Sequence, residues 1–426
     1  MDLHEKISAF LYYGYLPEFK HTRIWEVFPD IESPDQLCGP DLGSSNEAEI
    51  IDLGIKSLRN TFTGCLENNP SESHILLLSG GLDSRTILAC LLELGVKERL
   101  KAVTFGVPGS WDYEIAAHLA DKTNVSHTPI DLTKIKVSTE ALFHTAKNGC
   151  AWTFLIDGFY NHMIPHKFGA ESVYWSGYMG DLVAGNSLRP VLFKGFDFWE
   201  EAVLYYSRRL KTGFFHMIDL YPPGFDPASV LPVKPWLEEK RMNYFDQLCI
   251  FDTHLNYLKR AIIPSGYHYV TPFCHKEWVN FLLFAPLHLR MSKYIYKKIL
   301  LGAYPDLFSC PVKEFWGSSL RSAPFEIFFR HAVQWIKNRT GFADHLWSRL
   351  GVYRVMQYID FDDAIRQRGD YQEMVRENIA DLKNRKLIDW LDFDRLWVDH
   401  QNKNDDLGVE LLLLTALEIS LKAEGV

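Results

Sequence analysis

The sequence lacks the features that mark a secreted, membrane-spanning or zinc-binding chain. Its seven cysteines are odd in number and widely scattered, and none forms a C-x-x-C pair, so neither a disulfide framework nor a zinc site is predicted. No apolar run approaches the roughly 18 to 20 residues needed to cross a bilayer. The first residues carry neither a basic n-region nor a small-residue cleavage site. We therefore expect a cytoplasmic protein with reduced cysteines and no membrane partner.

Positive charge is also scarce. The formal net charge is −9, and the basic residues do not gather into one stripe. Because neutralisation of phosphates dominates nucleic-acid binding, we expect no nucleic-acid partner. The 426 residues are 47% hydrophobic and 14% aromatic, without repeats or low-complexity segments. Such a chain can bury a large core and is predicted to form two or three structural units.

Strand-like and helix-like segments alternate from His74 to about Ser187. In chain order they read HILLL, RTILACLLELG, LKAVTFG, DYEIAAHLADKTN, HTPIDL and SVYWSG. This alternation predicts right-handed βαβ units, and hence an α/β fold with a parallel sheet and flanking helices. Ligands in that architecture bind at the carboxyl ends of the strands.

The chain on either side of this segment is mostly helical. Residues 1–70 hold two helical patterns, LHEKISAFLYYG and SNEAEIIDLGIKSLRNTFTGCL, which we interpret as a lead-in. The C-terminal region closes with the run VELLLLTALEISLKAEG, which we interpret as amphipathic. We therefore predict a lead-in at 1–70, an α/β domain at 71–325 and an α-helical extension at 326–426. We consider two explanations for the aromatic residues of the extension. The ordinary one is core packing, and the alternative is a homo-oligomer interface.

The stretch SGGLDS, Ser79–Ser84, lies between the first predicted strand and the helix that follows it. Gly80 and Gly81 allow a tight turn that brings N–H groups to a ligand, and a helix predicted to begin near Ser84 directs its positive dipole end there. Ser79 and Ser84 add hydroxyl donors, and Asp83 supplies an oxygen ligand suited to Mg²⁺. The pattern predicts a phosphate-binding loop that differs from a Walker A loop. Ordinary helix capping uses the same residue types.

This loop resembles the pyrophosphate-binding loop of the PP-loop ATP pyrophosphatases, in particular the synthetase domain of the asparagine synthetase and β-lactam synthetase family. The run LKAVTFGVPGSWDYEIAAHLADKTNVSHTPIDL is similar to the family's second strand, acidic helix start and third strand. The resemblance implies ATP as a cofactor, with adenine held by the strand backbone at Val103, Thr104 and Phe105. It covers about residues 10 to 320, and FLYYGYLPEFKHTRIWEVFPD resembles the linker that precedes this domain.

A second loop, SGYMGD, resembles the family's second signature loop. The resemblance implies that Gly177 borders the nucleotide and that Asp181 shares Mg²⁺ with Asp83. Two later stretches, YVTPFCHKEWVNFLLFAPLHLRMSKYIYKKIL and CPVKEFWG, are similar to family segments that carry lysines. They place Lys293 and Lys313 where cations stabilise charge on the α-phosphate and the departing pyrophosphate. A surface position is the alternative for either lysine.

Tyr178 distinguishes among the relatives that the chain resembles. Ammonia users have a glutamate at this loop position, whereas β-lactam formers have a tyrosine paired with a distant glutamate that deprotonates an amine. A phenol with a pKa near 10 needs a supporting neighbour for that task. Where the glutamate is expected, this chain offers Asn256 and Tyr257. Tyr178 is therefore interpreted either as a catalytic group or as part of the pocket wall.

The family resemblance implies an enzyme that joins a carboxylate to an amine. Family members that use glutamine begin with a catalytic cysteine on an N-terminal amidohydrolase domain, and Asp2 stands at that place here. We expect an ATP- and Mg²⁺-dependent ligase that adenylates a small-molecule or peptide carboxylate, releases pyrophosphate and forms an amide or lactam, such as a peptide macrolactam.

Three alternatives remain beside this reading. One is an asparagine-synthetase-like subunit that takes ammonia from solution or from a separate glutaminase. Another is a tRNA-modifying pyrophosphatase, which the net charge of −9 disfavours. The last is an inactive binding or scaffold homologue, which the joint presence of the SGGLDS residues, Asp181 and Lys313 disfavours.

Overall fold

The structure is a computed structural model. It describes residues 1–18, 24–40, 42, 45–186, 188, 196, 198–213, 218–239, 242–340, 347, 351–355 and 357–426. Residues 19–23 of the linker-like stretch lie outside the described residues.

A five-stranded parallel sheet forms the centre of the fold. Its strand order is β3-β2-β1-β4-β5. The predicted strands are all found, so the predicted α/β fold is confirmed, whereas β5 was missed because its three residues lie in a region that reads as helical. The strands are β1 His74–Leu77, β2 Leu100–Gly106, β3 Ser126–Asp131, β4 Val173–Trp175 and β5 His268–Val270.

The position of β1 determines where a ligand can bind. His74 lies opposite Leu100 of β2 on one side and opposite Val173 of β4 on the other. From β1 the sheet therefore extends through β2 to β3 on one side, and through β4 to β5 on the other side. Such a reversal opens a crevice at the carboxyl ends of the two central strands. The loops that follow β1 and β4 border this crevice.

Helices cover the sheet and make up most of the rest of the described chain. The longer ones are Leu3–Tyr13, Glu47–Glu67, Leu82–Glu93, Trp111–Thr123, Thr139–Thr145, Leu155–Phe168, Trp199–Gly213, Lys276–Leu283, Tyr294–Ala303, Pro324–Thr340, Phe361–Gln367, Gly369–Arg385, Phe393–Gln401 and Gly408–Glu424. A further helix consists of three consecutive segments, which are α-helical at Tyr244–Leu248, π-helical at Cys249–Lys259 and α-helical again at Arg260–Ile262. Single turns are Ile24–Val27, Gly180–Val183, Leu287–Arg290 and Pro305–Phe308.

The helix Leu82–Glu93 follows the predicted phosphate-binding loop and is rich in leucine, which favours helix formation. It begins two residues earlier than the predicted start near Ser84, because Gly81 takes the extended conformation of an N-cap. Gly81 has no side chain to cap this helix, and among the described residues no side chain accepts a bond from the N–H groups of its first turn, Leu82 to Ser84. Those donors are therefore available to a ligand.

One hydrophobic core runs through the predicted lead-in, α/β domain and extension. It includes Phe10, Leu88 and Leu414, one from each segment. The C-terminal run, interpreted above as amphipathic, forms helix Gly408–Glu424, which is buried on nearly every side. Its fully buried Glu418 is compensated by an ion pair with Arg385 at 2.6 Å. None of the helices in the described residues has both the length and the apolar character needed to cross a membrane.

Candidate active site

The loop after β1 is organised by hydroxyl groups. The Ser79 N–H donates to Oγ of Ser84 at 3.0 Å, and the two Ser hydroxyls lie 3.1 Å apart. The Gly81 N–H donates to Ser79 Oγ at 3.3 Å. These bonds fold Ser79–Ser84 over the start of the helix, so that the predicted serine donors and the positive end of the helix dipole meet at one point.

Asp112 supports the loop from behind. Asp112 is 3% exposed. Its carboxylate accepts a hydrogen bond from the Gly80 N–H at 3.1 Å and forms an ion pair with Lys313 Nζ. Lys313 also donates its backbone N–H to the Gly80 carbonyl at 3.3 Å. The Gly80 N–H therefore serves the loop scaffold and not the predicted anion cradle. Lys313 lies at the crevice, with about a third of its side chain exposed.

Two glycines bring the second loop against Asp83. A Cβ on Gly180 would lie 2.5 Å from Cγ of Asp83, and one on Gly177 would lie 3.0 Å from its Cβ. The first distance leaves no room for a side chain, and the second would require Asp83 to move by a few tenths of an ångström. Between them Met179 has a positive φ of 73°, a conformation that costs a non-glycine residue energy. The approach of the two loops therefore depends on the spacing of the glycines in SGYMGD, and it places Asp181 beside the Asp83 loop.

Asp83 lies in a crowded environment for a carboxylate. Burial, together with the nearby charge of Asp181, raises its pKa well above the ordinary value. The hydroxyl of Tyr296 donates to Asp83 Oδ1 at 2.9 Å and lies 3.0 Å from Thr86 Oγ1. Such a carboxylate is stabilised in its ionised form by an added cation.

Lys293 supplies one cation to this cluster. It is 2% exposed, and its Nζ lies 2.7 Å from Asp181 Oδ1 and also pairs with Glu314. Burial lowers the pKa of Lys293, but Asp181, Glu314 and Asp83 outweigh it, so the pKa lies above the ordinary value. Ser292 and Lys293 have φ of 53° and 60°. Two consecutive residues in the left-handed region show that the backbone is held here against its local preference.

The crevice forms a cleft of about 620 Å³. Most predicted site residues line it, namely Ser79, Gly81, Asp83, Ser84, Val103, Phe105, Gly177, Tyr178, Asp181 and Lys313. Thr104 is turned away, because its hydroxyl donates to the Leu78 carbonyl at 2.7 Å. The Val103 and Phe105 carbonyls also accept bonds from the protein, at 2.9 Å from the Leu78 N–H and 3.2 Å from Gln357 Nε2.

Tyr178 lies in the cleft wall, and no acidic side chain of the described residues bonds to its hydroxyl. Its hydroxyl donates to the backbone carbonyl of His254 at 2.8 Å, and the residue is 4% exposed. Burial raises its pKa well above 10. The two residues that stand where a glutamate was expected face elsewhere, because Asn256 Nδ2 donates to Asp252 at 3.1 Å and the Tyr257 hydroxyl donates to Asp157. The structure thus contradicts a dyad between Tyr178 and either of them.

Asp157 is a cleft residue that the sequence interpretation missed. It lies in the first turn of helix Leu155–Phe168, lines the cleft, and accepts hydrogen bonds from the hydroxyls of Tyr257 and Tyr358. Burial raises its pKa to about 6, although both hydroxyls act in the opposite direction. No motif marks it, and its partner Tyr257 lies 100 residues further along the chain.

The residues at the two loops fit a divalent cation that is shared with phosphate. Within the described part of the chain, no group of three or more His, Cys, Asp or Glu side chains could enclose a metal by itself. Asp83 and Asp181 lie close enough for their charges to interact, and together they offer a face of two carboxylates. Mg²⁺ takes such a face and completes its coordination with water and phosphate oxygens.

The sheet, the crevice and the two loops together define an α/β fold of the PP-loop type. Residues 73–147 match the family model described as asparagine synthase, so the recognition made from the sequence is confirmed at this segment. A 7-cyano-7-deazaguanine synthase from Marinomonas sp. (strain MWYL1) is 23% identical over 164 residues, which span 34% of this chain and 74% of the relative. The matches support an ATP-using, synthetase-like enzyme.

Proposed function

We propose that this protein is an ATP-dependent ligase that joins a carboxylate to an amine with release of AMP and pyrophosphate. The observation that carries the proposal is the contact of Gly177 and Gly180 with Asp83, which sets two carboxylates beside a hydroxyl-rich loop and an open helix N-terminus. This arrangement suits the triphosphate of a nucleotide. ATP and Mg²⁺ are accordingly the proposed cofactors.

In the first step a carboxylate oxygen of the substrate attacks the α-phosphorus of ATP. The bond between that phosphorus and the bridging oxygen breaks, and pyrophosphate leaves. Ser79, Ser84 and the free N–H groups of the helix hold the departing phosphates, while Lys293 and Lys313 offset their charge. Asp83 and Asp181 would hold Mg²⁺, which neutralises phosphate charge when it is bound.

In the second step the amine nitrogen attacks the acyl carbon and AMP departs. Its ammonium form must first lose a proton, since only the neutral amine has a free electron pair. Positioning of the two substrates in one cleft supplies most of the remaining advantage. The volume of about 620 Å³ is ample for a nucleotide and a small acyl group.

The experiment is a product analysis with hydroxylamine as a general acceptor. Protein, MgATP, hydroxylamine and a panel of carboxylic acids are incubated, and AMP, pyrophosphate and hydroxamate are quantified. We expect equal amounts of the three products with an accepted acid. ADP and inorganic phosphate in their place would contradict cleavage between the α- and β-phosphates.

A further inference from the structure

The cleft has a second polar wall, separate from the phosphate-binding loop. It is formed by Asp157 and Asn161, one turn apart on helix Leu155–Phe168, and by the hydroxyl of Tyr358. The surface beside it is apolar, with Leu258, Ala261 and Ile262 lining the same cleft. This second wall of the cleft therefore presents one carboxylate, that of Asp157, beside an apolar surface.

The charge of Asp157 has no protein cation to balance it. Among the described residues, no lysine, arginine or histidine forms an ion pair with it, and its neighbours are two phenol hydroxyls. Such donors support a carboxylate without neutralising it. A carboxylate removed from water is ordinarily paired with a cation or protonated. The missing cation must therefore come from a ligand in the cleft or from solvent.

We propose that Asp157 binds the ammonium group of the acceptor substrate, and that this acceptor is an organic primary amine with an apolar carbon body. The identification as an acceptor rests on the proposed function, because the adenylating loops occupy the other wall of the cleft. Free ammonia would satisfy the carboxylate but would leave the surface of Leu258, Ala261 and Ile262 uncovered. An alkyl or aryl amine satisfies both.

The pKa of Asp157 suits this task. At about 6, the carboxylate is ionised near neutral pH and still basic enough to take part in proton transfer. The titratable groups that face it are Tyr257, Tyr358, Tyr160 and Cys150. Burial raises the pKa of all four above the neutral range, so Asp157 is the member of this group of five that changes charge between pH 5 and 7.

The chain provides a matched control. Asp252 also has a pKa raised to about 6 by burial and also accepts bonds from two tyrosine hydroxyls, those of Tyr15 at 2.7 Å and Tyr206 at 3.0 Å. It is fully buried and does not line the cleft. Substitution of Asp252 thus removes a tyrosine-bonded carboxylate of similar pKa without touching the proposed site.

The test is a saturation-transfer NMR titration with n-butylammonium chloride as the probe, and with ammonium chloride and n-butanol as comparators. We expect saturable binding of butylammonium, weaker binding of either comparator, and at least a tenfold loss in Asp157→Asn. Asp252→Asn should stay within twofold of the wild type. Since protonation removes the charge, lowering the pH from 7 to 5 should weaken binding about tenfold in the wild type and not in Asp157→Asn.

Two further readouts keep the result decisive. If Asp157→Asn does not fold, Tyr358→Phe removes one donor, raises the pKa of Asp157 and should move the midpoint of the binding profile to higher pH. Titration of MgATP into the wild type tests the nucleotide site separately, so absence of MgATP binding counts against the proposed function and not against the amine site. Equal binding of butylammonium to the wild type and Asp157→Asn, or no saturable binding to the wild type, overturns the inference.

Discussion

A side chain on Gly180 would overlap the carboxylate of Asp83, since its Cβ would lie 2.5 Å from Cγ and 2.7 Å from Oδ2. The loop after β4 can reach the loop after β1 only because this position has no side chain. Gly180→Ala should therefore weaken MgATP binding strongly and lower the free energy of unfolding by about 1 to 3 kcal/mol. Isothermal titration with MgATP and urea unfolding measure the two effects.

The matched control is the same substitution in open space. A Cβ on Gly64, within helix Glu47–Glu67, would meet nothing nearer than His275 Nε2 at 4.0 Å. Gly64→Ala should raise the free energy of unfolding by roughly 0.5 to 1 kcal/mol, because alanine favours a helix over glycine. Unchanged MgATP affinity in Gly180→Ala would show that the two loops do not need this contact.

Asp181→Asn tests the two-carboxylate face. The side chain is 52% exposed and Lys293 keeps Glu314 as a partner, so we expect only a small change in the thermal midpoint. Mg²⁺-dependent ATP binding and AMP formation should both be lost. Asp131→Asn, at the end of β3 and outside the cleft lining, is the control and should retain both. Full activity of Asp181→Asn at ordinary Mg²⁺ concentrations would remove Asp181 from the metal site.

Tyr178→Phe separates a structural role from a proton-transfer role. The hydroxyl donates to the His254 carbonyl, and its pKa is raised. It therefore stays protonated near neutral pH and is poorly suited to take a proton from an amine. We expect a loss of about 1 kcal/mol in the free energy of unfolding and less than a tenfold change in amide formation. A 10²- to 10⁴-fold loss, with pyrophosphate release unchanged, would make Tyr178 the general base.

Asp252 should make the stability depend on pH in a defined direction. Its pKa rises from 3.8 to about 6 on folding, so the native state binds a proton more tightly than the unfolded state. The favourable contribution is complete below about pH 4 and is lost as the pH rises through about 6, which corresponds to roughly 3 kcal/mol for one such group. Urea unfolding at pH 4 to 7 should show this decline, and a smaller one in Asp252→Asn. Identical slopes would show that Asp252 keeps its ordinary pKa.

The sheet and the phosphate-binding loop could be predicted because they depend on local sequence. β2 was predicted at Leu100–Gly106, as observed, since seven mostly apolar residues between two helical patterns leave little alternative. SGGLDS joins a strand to a helix within six residues, so its geometry is fixed by its neighbours. The SGYMGD loop was identified differently, through its resemblance to the family's second signature loop.

The remainder of the site could not be predicted because it depends on contacts between distant segments. Asp157 gains its environment from Tyr257 and Tyr358, which belong to other parts of the chain. The pairing of Lys293 with Glu314 and the support of Gly80 by Asp112 also require the folded arrangement. No periodicity or motif encodes such pairs.

The separation of these partners along the chain has a consequence for the order of folding. Asp181 and Lys293 are 112 residues apart, and Asp112 and Lys313 are 201 residues apart. Closing such large loops is entropically costly and slow, whereas β1, the phosphate-binding loop and its helix are contiguous. We expect the loop Ser79–Ser84 to form early and the two-carboxylate face of Asp83 and Asp181 to be completed last. During refolding, the recovery of MgATP binding should therefore lag behind the recovery of helical signal and report the final stage of assembly.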